Sequence, residues 1–356
     1  MKNQLLENMG RRIRMAREMR GMSLDALSKA MTPSVTKQAI SKYEKGQAVP
    51  GSAVVLALSN ALNVAVDFFF RQQTVTISKI AFNKKASLNA SDAKVINEIV
   101  RDHVERYLDA MQAVGAQPPS LASIWPKSIA NEQAIVAMVK ELKQSWNMGE
   151  CALGNVIEIL EQNGIIVIEI DDNDSFKGLS GWVDDTYPII VLNKSLDYES
   201  KRFTALHELG HILISAEHND KQMEKLCNTF AGEMLISDER LKAILGAKVK
   251  ELFINELENV RDIYGISIDA LLSKMQRLGV VSNAAYKSYL RKKSSDDNLR
   301  SRVEQSSRVK AETSHKFVNM VCRALSLDAI SSSKAASLLN ISIVDLRKML
   351  TPIAES

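Results

Sequence analysis

His207, Glu208 and His211 stand in the stretch RFTALHELGHILI, residues 202–214, as a His-Glu-x-x-His pattern. On an α-helix, positions four apart lie about 40° apart around the axis, so both imidazoles project from one side. Two neutral imidazoles at that spacing suit two adjacent corners of a Zn²⁺ tetrahedron. Glu208 projects from a neighbouring strip, placed to act as general base toward a water activated by the metal. The flanks are apolar: Phe203, Leu206, Leu209, Ile212 and Leu213. A glutamate and two histidines inside an apolar helix need a compensating role, and metal binding supplies one. The motif takes two of the chain's five histidines.

A third ligand has to come from another element. Residues 220–236, DKQMEKLCNTFAGEMLI, read as a helix whose buried stripe is Met223, Cys227, Phe230 and Met234. Glu224 and Glu233 are the candidates. Nine residues separate them, about 180° around the axis, so only one can face a metal. Glu224, about 60° from Cys227, flanks the stripe and is preferred; the competing reading is a solvated glutamate paired with Lys221 or Lys225. Asn228 stacks above it at i+4. Upstream, 165–170, 179–183 and 187–193 read as strands, so a small sheet immediately precedes the motif helix. A substrate strand would pair with the edge of 178–183 or 187–193. Tyr187, Tyr198 and His218 are candidate oxyanion donors. Helices are expected over 130–146 and 149–162 before the sheet, and over 247–264 and 267–278 after the motif.

The N-terminal 72 residues have a different plan. Five short helices are expected, over 4–20, 24–31, 36–45, 51–62 and 65–71, with Ser23 an N-cap and Gly21 and Gly46 helix stops. A basic, polar third helix in such a layout marks a helix-turn-helix module. It resembles the Cro/C1 (XRE) repressor family through Arg12, Ile13, Arg17, Gly21, Ser23, Leu27, Gly46, Pro50 and the string QAISKYEKG. The resemblance implies a lambda-repressor-like five-helix fold whose third helix enters the major groove of double-stranded DNA. Thr36, Lys37, Gln38, Ser41, Lys42 and Lys45 would then meet bases and phosphates, while Ala39, Ile40 and Tyr43 pack inward. Gln38 suits adenine N6/N7, and Lys37 or Lys42 suits guanine O6/N7 or phosphate.

Charge is segregated to match. Residues 1–72 carry 11 Lys/Arg and 5 Asp/Glu, 281–356 carry 13 and 7, and the middle carries 22 and 30, giving +6, +6 and −8 within a net +4. A basic end suits a polyanion. Three widely spaced cysteines with no Cys-x-x-Cys pair suggest reduced thiols. No apolar run approaches the roughly 20 residues of a membrane span, and the polar, basic start is not a secretory signal. The expected location is the cytoplasm.

Taken together, YPIIVLN, RFTALHELGHILI and EKLCNTFAGEMLIS resemble the ImmA/IrrE family of metallopeptidases. That family's pattern places a Glu at the head of E-x-x-(A/C)-N-x-x-A, matched by Glu224, Cys227, Asn228 and Ala231, which supports Glu224 as third ligand. The resemblance implies a zincin-like, gluzincin-type endopeptidase domain with Zn²⁺ on His207, His211 and Glu224 and Glu208 as its base. It also implies a protein substrate such as a repressor or antitoxin, cleaved to switch gene expression. The fold class expected is mainly α with a small β-sheet (α+β). The domains expected are 1–72 (helix-turn-helix), 73–124 (a connector with a short strand over 75–82 and a helix over 92–114 capped by Ser91), 125–293 (metallopeptidase) and 294–356 (a polar, mobile linker over 294–310 and a helical C-terminal region). SSKAASLLNIS in the last region resembles a helix-turn-helix start but lacks base-reading residues, which favours dimerisation or docking. The expected DNA site is a palindromic operator bound by a homodimer. Two other classes compete: a transcription factor whose zinc domain senses a ligand without cleaving, and an antitoxin-like interaction protein.

Overall fold

A computed structural model describes residues 2–71, 80–82, 90–116, 127–171, 176–215, 220–307 and 309–350; the side chains of 2–5 and 81 are not described. The chain divides into two compact units. One is drawn from Met1–Ile80, Ala86–Pro118 and His315–Ser356, the other from Ala81–Lys85 and Pro119–Ser314. The architecture is mainly helical with small sheets, the α+β class expected.

The first unit begins with α1 (Lys2–Met19), α2 (Leu24–Ala30), α3 (Lys37–Glu44), α4 (Ser52–Leu62) and α5 (Asp67–Phe70). Ser23 caps α2 by accepting from the Ala26 N–H, and Thr36 caps α3 by accepting from the Ala39 N–H. Gly21 and Gly46 both adopt the left-handed backbone that ends α1 and α3. Ile13, Leu27, Ile40, Leu58, Leu62 and Phe69 close the core among these helices. Gly10 marks where α1 meets the end of α3: a Cβ there would lie 2.5 Å from the Tyr43 carbonyl oxygen and 2.8 Å from that of Glu44. Gly10→Ala is therefore expected to destabilise this unit by about 1–3 kcal/mol through overpacking, read as a drop in its melting temperature.

A short strand, β1 (Ile80–Phe82), and the long helix α6 (Ala90–Ala113) follow. The expected strand residues Val75 and Ile77 lie outside the described residues. Ser91, expected as the cap of α6, sits inside it, since the helix starts at Ala90. The second unit continues with β2 (Lys127–Ser128), α7 (Glu132–Ser145), α8 (Val156–Gln162), β3 (Ile166–Ile170), β4 (Gly178–Val183), β5 (Tyr187–Asn193), α9 (Tyr198–Leu213), β6 (Ile214–Ser215) and α10 (Asp220–Leu235). It closes with α11 (Asp238–Leu245), α12 (Ile254–Tyr264), α13 (Ile268–Arg277), α14 (Asn283–Ser295) and α15 (Asp297–Glu304). Three expectations shift here. Asn155 delays α8 by capping it; a separate helix, α11, stands ahead of a late-starting α12; and the supposedly mobile 294–310 holds α15. Beyond α15, Glu312 accepts from the Val156 N–H at 2.8 Å and pairs with Arg202, so this stretch is fastened to the second unit.

The sheet runs β1-β4-β5-β3, with β5 parallel to β3 and antiparallel to β4. Neither strand proposed as a substrate edge is open: β5 is interior, and β1 flanks β4. The apolar strand residues Val167, Ile190 and Leu192 pack with Leu206, Leu209 and Leu213 of α9 and Phe230 and Met234 of α10 in one core.

The chain returns to the first unit through α16 (Lys316–Ser326), α17 (Ser332–Leu339) and α18 (Ile343–Met349). A buried charge network fastens them. Asp102 of α6 takes Arg71 at 2.8 Å and Arg106 at 2.8 Å. Those guanidiniums also donate to the Ser337 and Leu338 carbonyls at 2.7 and 2.8 Å, closing the end of α17. Arg12 of α1 reaches Glu105 at 2.9 Å. His103 lies against Phe317, ring centroids 5.2 Å apart, and burial lowers its pKa to about 3, so it stays neutral.

Candidate metal centre and nucleic-acid interface

The motif helix α9 starts at Asp197, whose carboxylate accepts from the Ser200 N–H at 2.8 Å. Arg202, fully buried, anchors it by donating to the Gly154 and Leu153 carbonyls at 2.7 and 3.0 Å and by its pair with Glu312. Gly210 lets α10 come close: a Cβ there would lie 3.3 Å from the Cβ and Sγ of Cys227. This approach brings Glu224 to the two histidines.

His207 Nε2 and His211 Nε2 lie 3.2 Å apart, and each lies 3.2 Å from one oxygen of Glu224. Ligands at about 2.0–2.1 Å from a tetrahedral Zn²⁺ are separated by about 3.3 Å, so this triangle has the size of one face of such a tetrahedron. Without a cation, two imidazole nitrogens and a carboxylate crowded this way would need shared protons. Among the described residues no other group of three His, Cys, Asp or Glu side chains brings its ligand atoms this close. The donor set fits a divalent metal. Asn228 Oδ1 lies 3.0 Å from His207 Nδ1 and accepts its proton, which leaves Nε2 as the bare, metal-facing nitrogen. Its place at i+4 from Glu224 and in the family pattern marked Asn228 in the sequence, but not this bond to His207.

Glu233, the rejected candidate, is occupied elsewhere. It is buried, takes Lys274 Nζ at 2.6 Å and accepts from the Asp238 N–H. Burial pushes its pKa up.

Glu208 is 1% exposed, and Ser180 Oγ of β4 donates to its Oε2 at 2.8 Å. Nothing in the sequence pointed to Ser180. Gly178 makes the approach possible, since a Cβ there would meet Thr204 Cγ2 at 2.5 Å and Glu208 Cγ at 3.0 Å. A cleft of about 330 Å³ opens over His207, Glu208, Lys177, Phe203, Asn228 and Ala270. Neither tyrosine considered as an oxyanion donor lines it: Tyr198 lies beneath the Arg202 guanidinium at 5.1 Å, and Tyr187 opens β5 opposite Val183. His218 lies outside the described residues.

In the first unit, α3 buries Ile40 and half-buries Ala39 and Tyr43, while Lys37, Gln38, Lys42 and Lys45 are exposed. Thr36 is exposed but its hydroxyl caps the helix, and Ser41 is half-buried. Arg17 of α1 steadies α3 with a two-pronged pair to Glu44, 2.6 and 2.9 Å, and a bond to the Met22 carbonyl.

Comparison with known proteins finds two domains in the chain. Residues 13–69 match the helix-turn-helix family model, and residues 160–276 match the model of the IrrE N-terminal-like domain, a metallopeptidase family. The chain thus joins an XRE-type helix-turn-helix domain of DNA-binding regulators to an IrrE/ImmA-like domain. Two curated relatives, each an "Uncharacterized HTH-type transcriptional regulator", come from Sinorhizobium medicae and Rhizobium meliloti. Each is 43% identical over 63 residues, 18% of this chain and 44% of the relative, so the chain spans under half the length of these relatives. Among the described residues no helix is long and apolar enough to cross a membrane.

Proposed function

We propose that this protein is a DNA-binding transcription regulator whose second unit is a zinc endopeptidase, acting on a repressor or antitoxin-like protein to switch gene expression. The observation that carries this reading is the triangle of His207, His211 and Glu224 beside a buried Glu208 held by Ser180. The three ligands would hold Zn²⁺, which supplies Lewis acidity toward a scissile carbonyl and lowers the pKa of water. The Glu208 carboxylate takes the proton of the attacking water and passes it to the leaving amine nitrogen. Ser180 keeps that carboxylate aimed, and Asn228 keeps His207 in the tautomer that presents Nε2. Incubating the zinc-loaded protein with repressors encoded at its own locus tests the reading. A new N-terminus on one of them is the expected result; intact repressors throughout would favour a zinc domain that senses without cleaving.

The DNA side of the proposal is a homodimer on a palindromic operator, α3 in the major groove, with half-sites about 10 base pairs apart. The exposed Lys37, Gln38, Lys42 and Lys45 and the +6 charge of 1–72 support it. Gln38→Ala is expected to cost about 1–3 kcal/mol and to relax preference at one base pair. Lys45→Ala should weaken all sequences alike and flatten a salt slope expected near −5 to −7, for about six to eight neutralised phosphates. Binding titrations on an operator and its single-base variants, at several salt concentrations, measure both.

A further inference from the structure

We propose that the outer edge of β4 is the lane for an extended peptide and that the chain's own β1 fills it, so this edge beside the open cleft is self-occupied. The consequence for catalysis rests on the peptidase reading above; the occupancy does not. β4 is the strand nearest the proposed base: Ser180 bonds Glu208 at 2.8 Å, and a Cβ on Gly178 would meet Glu208 Cγ at 3.0 Å. Its inner edge is spent on β5 along its whole length, Gly178–Val183 against Tyr187–Leu192. A peptide pairing main chain to main chain therefore has one edge of β4 to use, about 4.8 Å further out. The sheet order puts Ile80–Phe82 in that lane. β1 has three residues against the six of β4, a short pairing that a longer strand can outcompete. It is also drawn from the stretch between α5 and α6, the two helices that flank it in the DNA-binding half of the sequence.

The test uses the full-length chain carrying Glu208→Gln, so that no peptide is consumed. Ala81→Pro removes one main-chain donor from β1, and the pair Ile80→Gly, Phe82→Gly removes its side chains while leaving the donors. Hydrogen exchange of the peptide covering 178–183 is expected to quicken in both variants relative to the parent. The probe is a fluorescein-labelled peptide of residues 76–86, TISKIAFNKKA, added in trans. If β1 holds the lane about nine-tenths of the time, its loss raises apparent affinity for the probe about tenfold. Bound probe should restore slow exchange at 178–183. Unchanged exchange in both variants, or equal probe affinity in parent and variants, overturns the proposal. Probe binding to the opened edge, with every repressor left intact by the protein carrying Glu208, would sink the peptidase reading and leave the occupancy standing.

Discussion

Glu208→Gln is expected to keep the metal and the fold while cutting proteolysis of the natural substrate by about 10²–10⁴. The fold survives because the substitution is nearly isosteric in a site that is 1% exposed, and a glutamine oxygen still accepts from Ser180 Oγ. The metal survives because Glu208 is not part of the His207, His211, Glu224 triangle. What is lost is the proton acceptor. Steady-state rates on the cleaved repressor, with metal content and melting temperature measured on the same preparation, check it. Regulation in cells that is unchanged by Glu208→Gln would mean that the zinc domain works without cleavage.

The second large effect separates two glutamates on one helix. Glu224→Ala should drop the metal content from about one ion per chain to near zero with little loss of stability. Its side chain is 43% exposed and meets the two histidines at the edge of the cleft, so its loss should cost the fold little. Glu233→Ala should do the reverse. It removes a buried partner of Lys274 Nζ and the acceptor for the Asp238 N–H. Breaking a buried pair costs about 3–5 kcal/mol, and Asp238, still 2.8 Å from Lys274, should hold the loss near the lower end. Elemental analysis and thermal unfolding of the two variants decide the matter: metal lost from Glu233→Ala and kept in Glu224→Ala would reverse the assignment.

The chain's local chemistry was legible in its sequence because it resides within single elements. An i, i+4 histidine pair shares a helix face wherever that helix is put, and Ser23 caps its helix through a bond three residues long. The same holds for the inward Ile40 and the exposed Gln38 of α3, since helical period alone separates them. Between Glu224 and Glu233 the sequence could give only an angle. What separates them is Lys274, some forty residues on, which claims Glu233, and Gly210, whose missing side chain lets α10 carry Glu224 to the histidines. Ser180 on Glu208, Asn228 on His207 and Glu312 on Arg202 are likewise pairings of distant positions with no local periodicity to announce them. The polar run 294–310 looked like a linker because its partners lie elsewhere: Glu199 accepts from the Ser307 N–H, and Arg302 pairs with Glu258. The C-terminal helices join the DNA-binding unit through Arg71 and Arg106, which lie far upstream of α17. The place of β1 beside β4 follows the same rule, since strand pairing depends on which edges meet in space and not on what either strand contains.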